Sequence, residues 1–422
     1  MKKVTAILLG AGQRGAEAYA SYALDYPNEL KFVGVAEPRE DRREEFRRLH
    51  GVKSADTADS WEKLLERPRM ADCVLICTQD QMHYQAIKMA AERGYHILCE
   101  KPISPDRSEL EEIGKMAAEY RPVFSICHVL RYSPFFREIH RLLEEGAIGE
   151  LVDIQHMESV GYWHMAHSFV RGNWRSRRLS SPMILQKCCH DMDILLWLAG
   201  SSCRRISSFG GLTHFKKENA PENAPANCLE GCRHREECPY FAPRFYLEDM
   251  EEKGGTFARV VSLKQDRASL LQALQEGPYG RCVYRCDNDV VDHQVVNLEF
   301  ENGVTASLTM CAFTARCERV INLMGTRGQI RGNMEENRIV LEDFASGRRV
   351  VTELKVPKGG HSGSDVSMMK DFVDLISSGG GRESVSAARE SVESHLMALA
   401  AEESRLNGGR VCEMNENRGV QG

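Results

Sequence analysis

Val4-Thr5-Ala6-Ile7-Leu8-Leu9-Gly10-Ala11-Gly12-Gln13-Arg14-Gly15 opens the chain with a largely apolar run that stops at glycines. From Arg14 to Tyr26 the pattern turns helical, with Ala16, Ala18, Tyr19 and Tyr22 available for packing before Pro27 ends it. Strand, tight turn and helix therefore follow one another. The same alternation repeats downstream: apolar runs at 30–36, 72–77, 95–99 and 123–126 are separated by helical segments at 40–50, 81–93 and 106–120. Strands that are apolar on both faces and separated by helices predict a doubly wound parallel sheet over residues 1–125.

Past residue 125 the rhythm changes. One helix (134–145) is followed by longer alternating segments at 290–300, 304–311 and 320–324, which read as antiparallel strands with one exposed face. The overall expectation is α/β. A second domain, 126–422, carries a large, open, mainly antiparallel sheet interrupted by a polar, Cys-containing insertion at about 213–288. Inside the insertion a helix is expected at 246–252, packing locally with the segment 262–276, and helical segments are expected at the end of the chain at 365–377 and 384–405, with Gly379-Gly380-Gly381 as the loop between the last two.

The 422 residues are 42% hydrophobic and carry a formal net charge of −6. That balance lacks the basic excess a phosphate backbone or anionic membrane needs, so a small molecule is the expected partner rather than nucleic acid or membrane. No apolar run approaches the roughly 18–20 residues of a membrane span, and Met1-Lys2-Lys3 leads straight into a strand, which makes the cytoplasm the expected compartment. The 15 cysteines are odd in number and several lie in apolar strands, so they read as reduced thiols rather than a disulfide framework.

Gly10-x-Gly12-x-x-Gly15, placed between a strand and a helix, is the pattern of a dinucleotide site. Gly10 permits the turn, Gly12 lets the backbone approach a pyrophosphate, and Gly15 allows close helix packing, with Gln13 and Arg14 at the helix start. Glu37 ends the second strand, at the distance where an acid meets the adenosine ribose. Its charge favours NAD, while Arg39 leaves NADP possible. Thr78 and His83 follow the third apolar strand at the same sheet edge and are expected to face the cofactor.

Cys99-Glu100-Lys101-Pro102 lies just past the next strand. At this point the chain resembles the Gfo/Idh/MocA group of glucose-fructose oxidoreductases and inositol dehydrogenases. Further matches are Gly146 to Glu150, Val170-Arg171-Gly172-Asn173-Trp174-Arg175, His190-Asp191-Met192-Asp193 and Gly359-Gly360-His361. The resemblance implies a Rossmann domain joined to an open-sheet α/β domain. It also implies hydride transfer between nicotinamide and a carbinol carbon of a sugar, sugar derivative or cyclitol. That chemistry needs a group to take the hydroxyl proton and a polar partner for the developing carbonyl. Lys101 suits both needs, with Glu100 beside it at the cofactor, and His190 is the second proton-transfer candidate.

The family's Asp-x-x-x-His-x-x-Asp pattern is matched in its later part by His190 and Asp193, but Gln186 stands where the first acid is expected. Lys187 adds a second cation, so both Lys187 and Asp193 are carried as catalytic candidates. Asp191 is a possible substitute carboxylate, although an adjacent helical residue points elsewhere. Arg131, Tyr132, His167, Arg171, Trp174 and His293 are candidate substrate contacts. Homodimers or homotetramers are expected, because an open sheet with an exposed face invites association.

Two alternatives stand beside this reading: a glycoside hydrolase that uses bound NAD in a redox-neutral oxidation and elimination, to which the missing carboxylate points, and a non-catalytic NAD-binding sensor. In the insertion, Cys228-x3-Cys232-x5-Cys238 places three thiols close together. With Cys282 or Cys286 as a fourth ligand they suggest a structural zinc.

Overall fold

The computed structural model describes residues 3–248, 256–355, 363–379 and 382–414. Gly359-Gly360-His361, residues 249–252 and two of the three glycines at 379–381 lie outside the described residues. The first sheet contains β1 (Val4–Leu9), β2 (Leu30–Ala36), β3 (Thr57–Ala58), β4 (Cys73–Ile76), β5 (His96–Cys99) and β6 (Phe124–Ile126), in the order β3-β2-β1-β4-β5-β6. Every pairing is parallel. The order reverses between β1 and β4, and the carboxyl ends of those two strands open the crevice in which such sheets bind ligands. Most residues of these strands are buried, every one of them in β4, because helices cover both faces.

The second sheet adds β7 (Leu151–Ser159), β8 (Cys203–Gly211), β9 (His293–Phe300), β10 (Thr305–Cys311), β11 (Glu318–Gly325), β12 (Gly328–Asn333), β13 (Arg338–Asp343), β14 (Arg349–Glu353) and β15 (Cys412–Glu413). Its nine strands run in the order β14-β13-β12-β11-β7-β10-β9-β8-β15, antiparallel except for β10 against β7. Alternation puts Val296, Leu298, Leu308 and Ile321 in the core and leaves Phe209, Val295 and Val320 exposed on the other face.

Two features cross the domain boundary. Helix Ser364–Ser377 returns to the first domain, where Met368, Met369, Phe372 and Val373 pack with Val4, Leu8 and Tyr19. The last helix, Ala388–Leu406, packs on helix Arg107–Glu119, on helix Cys189–Ala199 and on β8. It starts four residues later than the pattern predicts, because 384–387 turns against β6, with Ile126 N–H donating to Ser386 O and Ala387 bridging to Ser125. Among the described residues no helix is long and apolar enough to cross a membrane.

Candidate active site

The glycine loop is shaped by contact with the turn after β4. Gly10 has φ +90°, and a Cβ there would sit 2.4 Å from Cys77 O, so no side chain fits. Gly12 differs: among the described residues the only atom within 4 Å of its Cβ position is Arg42 Nη1, at 3.9 Å. That open space at a helix start is what a pyrophosphate requires. Glu37 is buried at the end of β2, accepting from Ala11 N–H (2.8 Å) and Arg39 N–H (3.0 Å). Its carboxylate is thereby fixed at the edge of the crevice. The Arg39 guanidinium is held by Asp41 at 2.7 Å. Among the described residues Thr78 Oγ1 is buried without a hydrogen-bond partner. The open Gly12 position, the fixed Glu37 and the orphaned Thr78 hydroxyl together fit a dinucleotide.

Three expected cofactor contacts are occupied otherwise. His83 is buried with its ring nitrogens 2.8 Å from Pro102 O and 3.0 Å from Thr78 O, so it braces the two loops from behind. Arg14 Nε lies 2.9 Å from Glu100 Oε1, and its Nη2 lies 2.7 Å from Asp365 Oδ1. Glu100 also accepts from Lys101 N–H at 2.7 Å. Burial pushes the Glu100 carboxyl up, but the charges of Arg14 and Lys101 outweigh this and hold it below its ordinary range. Arg14 and Glu100 thus form a truss between the glycine loop, the Lys101 turn and the late helix Ser364–Ser377.

Lys101 reaches out of the first domain and donates from Nζ to Gln186 O at 2.9 Å, in the second. Gln186 is 3% exposed. Its Nε2 is directed at Asp80 Oδ1 (3.3 Å) and Ser180 Oγ (3.4 Å), while Oε1 finds no partner among the described residues. Asp80 accepts also from the hydroxyls of Ser180 (2.7 Å) and Ser181 (3.0 Å). An acceptor-only carboxylate fixes which end of the amide faces it. Asp80 had no functional signal in the sequence. In space it brings a carboxylate to the residue that replaces the family's acid.

His190 is buried, with its ring 5.7 Å from that of His128, and His128 lies 5.3 Å from His395. Burial, aided by the charges of Arg131 and Lys101, holds His128 well below the ordinary histidine range, and burial beside His128 lowers His395 to about 3. Sequence reasoning missed both, because nothing in 124–128 or 391–395 points to a common cluster.

Lys187 and Asp193 are not free for proton transfer. Lys187 Nζ pairs with Glu158 at 2.9 Å. Burial disfavours its charge, yet Glu158 outweighs this and holds the ammonium above its ordinary range. Glu158 also binds Arg319 (2.8 Å), which binds Asp191 (2.9 Å), which lies 2.8 Å from His156. Asp191 therefore faces away from Gln186 and supplies no substitute carboxylate. Asp193 forms a two-pronged pair with Arg131, at 2.8 and 2.9 Å, both residues being buried.

That pairing also removes Arg131 from the substrate contacts. Tyr132 is buried, its hydroxyl 3.0 Å from Asp371. Arg171 is buried and donates to the carbonyls of Arg281 (2.8 Å) and Tyr240 (2.7 Å), anchoring the insertion. Trp174 packs against the second domain's core beside Phe169. His167 lies 2.6 Å from Tyr246 OH and stacks on Tyr279; burial, aided by Arg171, lowers it to about 3. His293, 43% exposed, lies 2.9 Å from Asp292 at the root of the insertion.

The structural zinc is not supported. Cys228, Cys232, Cys238 and Cys282 line one small cavity, but among the described residues no three His, Cys, Asp or Glu side chains are grouped to hold a metal. The Arg171 guanidinium, 3.8 Å from Cys228 Sγ, places a positive charge where a cation would sit.

The chain matches two family models: an oxidoreductase family, NAD-binding Rossmann fold, over residues 4–128, and the C-terminal α/β domain of the same oxidoreductase family over 140–412. The chain belongs to the Gfo/Idh/MocA family. It is an NAD-dependent oxidoreductase of that type. It is 23% identical to the oxidoreductase YteT of Bacillus subtilis over 336 residues, 74% of each chain. Inositol 2-dehydrogenase 4 of Saccharopolyspora erythraea is 27% identical over 208 residues, 47% of this chain and 55% of that one. Among solved structures, levoglucosan dehydrogenase with NADH and levoglucosan superposes with a TM-score of 0.70 at 18% identity, covering 97% of this chain and 99% of that one. An Agrobacterium radiobacter oxidoreductase with NAD+, L-tartaric acid and magnesium gives 0.71 at 15%, covering 98% and 99%. At that identity the likeness is one of fold.

Proposed function

We propose that this Gfo/Idh/MocA oxidoreductase transfers hydride between NAD and a hydroxyl-bearing carbon of a sugar, sugar derivative or cyclitol. The observation that carries the reading is the meeting of Lys101 with Gln186 across the two domains, four residues before the buried His190. When bound, the nicotinamide supplies the hydride acceptor. The chain's own groups handle the rest: Lys101 and His190 are the proton-transfer groups, one of them taking the single hydroxyl proton as the C–H bond gives up its hydride. Gln186 Oε1, without a partner among the described residues, offers a neutral acceptor to a neighbouring hydroxyl.

NAD is favoured over NADP because the Glu37 carboxylate repels a 2′-phosphate and Arg39 is spent on Asp41. The carbohydrate class draws support from relatives named inositol 2-dehydrogenase and levoglucosan dehydrogenase. Among the described residues no cysteine forms a disulfide, which suits a reducing cytoplasm. The exposed Phe209, Val295 and Val320 on the open sheet face suit a homodimer or homotetramer.

The test is NADH formation from NAD+ with a panel of polyols that includes myo-inositol and levoglucosan. Turnover is expected with at least one, and Lys101→Ala should lower it by about 10²–10⁴-fold. Absence of turnover across the panel refutes the reading. A second, redox-neutral reading rests on the replacement of an acid by Gln186 and on a 24% identical relative named 2,7-anhydro-N-acetylneuraminate hydratase in Escherichia coli, matched over 34% of this chain. It predicts loss of an aglycone or water without net NADH.

A further inference from the structure

The insertion is anchored in the second domain, yet it reaches the first. In helix Thr256–Val261 the ring of Phe257 packs among second-domain rings, 4.3 Å from His167, 5.4 Å from His164 and 5.5 Å from Trp163. Two residues on, Arg259 Nε lies 3.1 Å from Glu17 Oε1 and Nη2 lies 3.8 Å from Glu45 Oε1, both on helical segments of the first domain. Val260 and Leu263 complete the wall of a cavity of about 200 Å³ whose other lining includes Gly12, Gln13, Arg42 and Phe46. One short helix therefore joins the two domains beside Gly12, the glycine at which the backbone meets a pyrophosphate.

We infer that helix Thr256–Val261 is a strap beside the cofactor groove: Arg259, paired with Glu17 and Glu45, and Phe257, seated against His167, hold it over the cavity that Gly12 lines, so the dinucleotide passes only when that contact opens. The inference requires NAD binding by the family fold and is independent of the substrate. A barrier to passage acts on entry and exit alike, whereas a residue that merely touches bound cofactor acts on exit alone. The ion pairs are half exposed, so each contributes modestly, and reversing one charge replaces two attractions by two repulsions.

The experiment is stopped-flow fluorescence of NADH binding to, and displacement by excess NAD+ from, the full-length protein. For Arg259→Glu, association and dissociation should both quicken about 10-fold, with Kd changed by less than about 3-fold. Phe257→Ala frees the other end without altering charge and should act in the same direction. The charge swap Glu17→Arg with Arg259→Glu should return both rates toward wild type. Unchanged rates in both single variants overturn the strap. So does faster dissociation with unchanged association, which would make Arg259 a direct cofactor contact, and so does failure of the protein to bind NADH.

Discussion

Replacing Gln186 by Glu tests the pairing of Gln186 with Asp80 most directly, because it changes one side-chain atom, leaves the shape alone and leaves the main-chain oxygen that Lys101 meets in place. In the native chain Gln186 Nε2 faces Asp80 Oδ1 at 3.3 Å, with both residues buried. The substitution turns a charge-assisted contact into two carboxylates at that distance. At an effective dielectric constant of 20, two unit charges 3.3 Å apart repel by about 5 kcal/mol. The alternative is to protonate one of them. Against an unfolded glutamate pKa of about 4.3 this costs roughly 1.4 kcal/mol per pH unit, or about 5 kcal/mol at pH 8 and about 1 kcal/mol at pH 5. Both routes give a destabilisation near 5 kcal/mol at pH 8.

The sign follows from linkage: the pair's folded pKa is raised, so the penalty is absent below the unfolded pKa and grows as pH rises toward the folded one. Urea denaturation of wild type and Gln186→Glu at pH 8 and pH 5 reads the effect directly. Adding Asp80→Asn, whose amide donates to the new carboxylate, should restore most of the loss at pH 8. Equal stability of Gln186→Glu and wild type at pH 8, or no rescue by Asp80→Asn, would show that Asp80 is not an ionised partner of the Gln186 amide.

Two glycines of the cofactor loop should separate fold from binding. Gly10→Ala forces a Cβ to 2.4 Å from Cys77 O at φ +90° and should cost about 2–4 kcal/mol of stability. Gly12→Ala, at φ −76° with open space around it, should change stability by less than about 1 kcal/mol while weakening NADH at least about 10-fold by titration. Equal effects of the two on stability would contradict this assignment. The buried histidines predict acid sensitivity. His167 and His395 are lowered to about 3 against about 6.5 unfolded, so the stability they confer is complete above pH 6.5 and is lost as pH falls toward 3, at up to about 1.4 kcal/mol per pH unit for each. Denaturation midpoints that stay level from pH 7 to pH 5 would refute it.

The cofactor domain was legible in the sequence because its determinants are local. Apolar runs separated by helical patterns specify a parallel sheet, and glycine spacing after a strand specifies a turn with room for a pyrophosphate. Neither needs knowledge of distant residues. Lys101 and Gln186 were also visible, the one by its strand-end motif and the other as a departure from an expected acid. What only the tertiary structure decided is the partner of each charge. Arg131 and Asp193, 62 residues apart, cancel each other, and Lys187 is spent on Glu158, so candidates that looked reactive by type are neutralised. Asp80 stands 106 residues from Gln186, and Arg259 is 242 residues from Glu17. Opposite charges and hydrogen-bonding groups attract according to distance in space, and a sequence records only their order along the chain.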